Sequence, residues 1–233
     1  MDDSNKPSTK AKTAFTTGMV VMLILGLLVG FGITAIVEHS HYNKKLAAAT
    51  VPTSATKAAD LRTTLVTLGI DHMTLTDQAV DAALDGNADA TALGTSLYAN
   101  GNDIGAAVGS VYGASAQKTF DAVWKIHLDQ FVDYAVADKE GNTAAMQTAL
   151  NTIQTQYTIP LSKYLASANP NISESALQTE LSDHVAMTAT MIDDHVKGNY
   201  TAEANELSMA NTHIATLFSG LSAAIVKQYP SKF

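Results

Sequence analysis

The chain has 233 residues, 46% of them apolar, and a net charge of −8 from 22 acidic and 14 basic side chains. With so few cations and no Lys/Arg stripe to meet phosphates, nucleic-acid binding is excluded. The absence of cysteine excludes disulfides, thiolate metal sites, cysteine nucleophiles and haem attached through Cys-x-x-Cys-His.

Residues 1–15 form a short polar tail carrying Lys6, Lys10 and Lys12. From Thr16 to Val37 the chain reads TTGMVVMLILGLLVGFGITAIV, a run of 22 residues without a charge, long enough at helical rise to cross about 30 Å of hydrocarbon. One membrane-spanning helix is therefore expected. The run is longer than a typical signal-peptide core, and the exit Glu38-His39-Ser40-His41 lacks an A-x-A-like cleavage site, so the span reads as an uncleaved single-pass anchor. The large acidic domain behind it favours export, which makes the tail cytoplasmic and the domain extracytoplasmic. Gly26, Gly30 and Gly32 offer a small-residue face for a homodimer of that helix. Residues 38–58 are small and polar and read as a flexible tether to a folded domain spanning 59–233.

Within that domain a histidine is followed fourteen residues later by Gly-Asn three times: His72 to Gly86-Asn87, His127 to Gly141-Asn142, and His184 to Gly198-Asn199. The units recur at 55 and 57 residues, the self-similarity of stacked helical hairpins. Each unit opens on a helical stripe. Leu61, Leu65, Leu68, His72, Leu75 and Ala79 form the first; Phe120, Trp124, His127, Phe131 and Tyr134 the second; Leu177, Leu181, His184, Met187, Met191 and His195 the third. Each stripe runs to Gly-Asn, suited to a left-handed helix end and a tight turn. Returning helices are expected over 88–111, 143–168 and 201–227, with a break near Asn100-Gly101-Asn102 and a kink at Pro160. Without sustained two-residue alternation, the expected fold is all-α: a six-helix bundle of three hairpins behind one amino-terminal transmembrane helix.

His72, His127 and His184 then fall at one height, about 20 Å from the turns. His213, fifteen residues past the third glycine, is expected to join them. Four neutral imidazoles suit copper, zinc or nickel, and the thioethers of Met187, Met191 and Met209 favour copper. His195 lies on the same face as His184 and is a further candidate ligand. Asp71, Asp183 and Glu180 stand close in sequence as outer partners of the ligands. A b-type haem held by two histidines is the other cofactor reading. There is no Glu-x-x-His for a di-iron centre, and no Gly-x-Ser-x-Gly, His-Glu-x-x-His, Walker or dinucleotide fingerprint, so binding is expected and catalysis is not.

The string Ser110-Val111-Tyr112-Gly113 leading to Phe120, then Trp124-Lys125-Ile126-His127 and Phe131-Val132-Asp133-Tyr134, with the closing Ala224 to Pro230 run, resembles a poorly characterised family of secreted helical repeat proteins of Gram-positive bacteria. Some members are named after a fused amino-terminal module of copper amine oxidases. The resemblance covers about residues 60–233 and implies an extracytoplasmic helical domain with histidines at His72, His127, His184 and His213. The expected function is a membrane-anchored bundle that buffers or delivers a transition metal, copper first. The alternative is an envelope spacer or partner-binding protein with a structural histidine layer.

Overall fold

The computed structural model describes residues 56–233. The expected tail, membrane helix, glycine dimer face and most of the tether lie outside the described residues. Six helices follow: α1 Lys57–Asp85, α2 Ala90–Tyr112, α3 Ala114–Lys139, then α4, α5 Glu174–Val196 and α6 Tyr200–Gln228. α4 consists of Thr143–Ile153, one π-helical turn Gln154–Thr158, and Ile159–Ala168. Among the described residues there is no strand. The all-α hairpin architecture expected from the repeats is the observed one.

All three Gly-Asn pairs end a helix by the same hydrogen-bond scheme. Gly86, Gly141 and Gly198 take φ of +72°, +69° and +71°, where an L side chain would be strained. The amides of Asn87, Asn142 and Asn199 each reach back 2.8 Å to the carbonyls of Ala82, Ala137 and Asp194, the six-residue closure of a Schellman motif. Thr56 and Ser173 cap α1 and α5 by accepting from the amides of Ala59 and Ala176.

Packing closes a ring: each helix lies against its chain neighbours, and α6 returns to lie on α1. The three helices that open the hairpins, α1, α3 and α5, also touch one another. They form a central triangle, and α2, α4 and α6 fill the grooves outside it. The core between the layers includes Leu65, Phe120, Ile153, Leu161, Ile192 and Phe218. α6 is apolar enough over an 18-residue window, with mean hydropathy 1.3, to cross a membrane, but here its apolar face packs on α1 and α5.

One expectation about irregular helices needs correction. α2 runs unbroken through Asn100-Gly101-Asn102, because Gly101, Gly105 and Gly109 face a neighbour. A Cβ on Gly101 would lie 2.9 Å from Trp124 Nε1, and Cβ atoms on Gly105 and Gly109 would overlap Asp121 and Gln117. These glycines allow α3 to approach closely, and that packing offsets their poor helix propensity. Pro160 sits just beyond the π-helical turn. That turn absorbs the carbonyl clash and missing donor that proline brings, so the irregularity falls N-terminal to the ring.

At the pole opposite the Gly-Asn turns, buried Asn169 donates to the Tyr112 hydroxyl, which donates to Gln228; Gln228 in turn donates to the Ala168 carbonyl. Tyr112 and Tyr229 meet edge to face at 6.0 Å.

Candidate metal centre

Each helix of the central triangle carries one histidine at the same offset from its Schellman turn, so the near-threefold packing carries all three to one point. His72, His127 and His184 are 1%, 0% and 2% exposed. Their rings lie 5.5, 6.1 and 6.3 Å apart centre to centre, and one nitrogen from each lies within 4.8 Å of the other two. The Nε2 atoms of His72 and His127 are 3.5 Å apart. Two imidazole nitrogens on one tetrahedral ion at 2.0–2.1 Å stand about 3.4 Å apart, so this pair already has ligand spacing.

The surroundings select the His127 tautomer. His127 Nδ1 donates to the Trp124 carbonyl, which leaves its Nε2 lone pair facing His72. Asn100 donates its amide to the Leu68 carbonyl, which leaves its buried Oδ1 without a partner, as is His72 Nδ1. His72 Nε2 faces the His127 lone pair at 3.5 Å, and a proton on His72 Nδ1 would leave both Nε2 lone pairs free to hold a cation. Tyr157, from the π-helical turn, stacks on His127 at 4.1 Å. Trp124, the one tryptophan of the chain, stands 4.7 Å from His127 and 5.0 Å from His72.

Burial keeps the trio neutral. It lowers His72 to about 4 against a weaker pull from Asn100, and lowers His184 to about 3 with help from His72 and His213. His127 falls well below its usual value through burial and then the other two imidazoles. Neutral imidazole is the form that ligates a metal. The trio also forms one end of a cavity of about 300 Å³ between α1, α2 and α3, walled by Leu97, Leu128 and Phe131. Thr76 and Thr188 share that end, each donating to the carbonyl of the histidine one turn before it.

The other expected ligands lie elsewhere. His213 belongs to outer helix α6, and its Nε2 donates to the Glu180 carbonyl, one turn from His184. The expected layer of four is therefore a trio. His195 joins a separate group: its Nδ1 lies 3.0 Å from both Asp81 and Glu203, and its Nε2 lies 3.3 Å from Asp85. Met209 is 52% exposed and unfit as a ligand. Met191 is buried and Met187 half-buried in the core. Asp71 and Asp183 point to solvent, and Glu180 serves His213 instead of the trio. A haem does not fit, since imidazoles this close leave no room for a macrocycle and the cavity is too small for one.

Sequence reading missed Asn100, Thr76, Thr188 and the Asp81–His195–Glu203 group. Two signals were available: Thr follows His by four residues in the first and third units, and Asp77, Asp81 and Asp85 make one acidic stripe. Comparison with protein-family models, curated proteins and solved structures finds no match.

Proposed function

We propose that this chain is a membrane-anchored, outward-facing bundle that holds one transition-metal ion on His72, His127 and His184, for buffering or delivery. The observation that carries the reading is the convergence of three buried, neutral imidazoles within 4.8 Å. Imidazole suits copper, zinc and nickel, and the Irving–Williams order places copper(II) tightest among them. The thioether argument for copper(I) weakens with Met209 at the surface, so the preference rests on nitrogen ligation alone. The uncharged run at 16–37 supports the anchor, and the acidic domain after it supports the orientation.

The test is metal analysis of the full-length chain in detergent micelles, without tag histidines, together with Trp124 emission and melting curves. One ion per chain is expected, with copper(II) quenching Trp124. Stability should rise by about 2.7 kcal/mol when the free metal is a hundred times Kd. All three effects should vanish in the His127→Ala, His184→Ala double variant. If loaded and chelated protein melt together and Trp124 is unaffected, the trio is a structural layer and a tethered spacer becomes the better account.

A further inference from the structure

The cavity beside the trio is more than a route for an ion. Its walls are apolar, its rim is formed by Val132 and Val136, 53% and 51% exposed, and Lys139 and Glu140 stand at its edge. A volume of about 300 Å³ is the share of about ten water molecules in the liquid, at the small end of organic-ligand sites. On α2, Gly94 borders it, and a Cβ built there meets nothing within 4 Å.

Charge narrows the occupant. Three neutral imidazoles leave a divalent ion with both its positive charges, in surroundings where uncompensated charge is costly. Among the described residues, the one carboxylate lining the cavity is that of Glu140, an exposed residue. Lys139 Nζ donates to the Leu84 carbonyl. The missing anion and fourth ligand must therefore come from outside, through an apolar passage.

We infer that the cavity is the seat of an organic ligand, a medium-chain carboxylic acid whose carboxylate takes the open side of the ion and whose tail lies along Leu97, Leu128 and Phe131. This rests on the metal reading above. Each buried methylene adds about fourfold in affinity, so among acids that share the carboxylate the strength of binding rises with tail length.

The experiment uses the full-length chain in detergent micelles loaded with Co(II), whose visible d–d bands report changes at the ion. Octanoate, of about ten non-hydrogen atoms, should shift the bands saturably at concentrations at least about a hundredfold below acetate. Octan-1-ol, with the same tail and a neutral head, should leave the bands in place. Gly94→Leu, which fills the cavity from α2, should keep the unliganded bands and weaken octanoate at least about tenfold; Ala135→Leu narrows it from α3 as a second variant. Octanoate no better than acetate, octan-1-ol as effective as octanoate, or metal-loaded cavity-filled variants that respond like the parent would overturn the inference while leaving the metal site standing. A parent chain that takes up no Co(II) sinks the metal reading, and this one with it.

Discussion

At the scale of single residues, the trio ties folding to pH. The unfolded chain protonates a histidine near 6.5, whereas folded His72 does so at about 4 and His184 at about 3. Between these values the unfolded state binds more protons, so the trio's contribution to stability is full above pH 6.5 and drains as the pH falls toward 4. For fully buried His72 alone the loss at the acid end is on the order of 3 kcal/mol. Urea melts of the metal-free chain should show midpoints dropping across that window, and His72→Phe should flatten the drop. A profile level from pH 7 to 4 would mean that the imidazoles are hydrated in solution. The trio was legible because a fixed offset from Gly-Asn is a statement about height. His213 misled because height says nothing of layer, and only the packing of α6 outside the central triangle shows that its ring is turned to Glu180.

At the scale of elements, glycine separates into two uses that composition cannot tell apart. Gly101 brings Trp124 against α2, and an added methyl would displace an indole stacked at 5.0 Å on Phe120. Gly101→Ala should cost about 1–3 kcal/mol despite better helix propensity. Gly220 on α6 has nothing near its missing Cβ, so Gly220→Ala should gain up to about 1 kcal/mol. Equilibrium unfolding should give opposite signs, and equal signs would refute the assigned packing of α2 on α3. Helix limits were legible to within a few residues where Gly-Asn or an N-cap marks them. The continuity of α2 was not, because its compensation lies on α3, and the π-helical turn before Pro160 likewise answers to packing around Tyr157.

At the scale of the whole bundle, the acidic group joins α1 to α5 and α6 and opposes the trio. Burial and neighbouring carboxylates raise Asp77 to about 6 and Asp81 to about 8, and the carboxylates around His195 raise it against burial. Here the folded state holds the extra protons, so this contribution is present at low pH and lost as the pH rises through these values. Stability of the metal-free chain should therefore peak at about pH 6 and fall on both sides. Asp81→Asn should flatten the alkaline fall and spare the acid one; an unchanged alkaline limb would show that the group is solvated. Only the acidic stripe of this cluster on α1 was visible in the sequence; the rest needs α6 to return to α1, a pairing no local pattern announces.

That return has a kinetic meaning. Five of the six neighbouring pairs around the ring are joined by short connections and can form from local encounters, but the sixth pairs Gly69 with Phe218, 149 residues apart. Loop-closure entropy and contact order place such a contact late. Folding should run as rapid assembly of an open arc of helices followed by one slow closure along the α1–α6 seam, and partial opening should begin at that seam. His213 and the Asp81–His195–Glu203 group would be uncovered first, while the wall of α1, α2 and α3 around the cavity stays shut. The molecule can loosen along that seam while the packing around the trio persists.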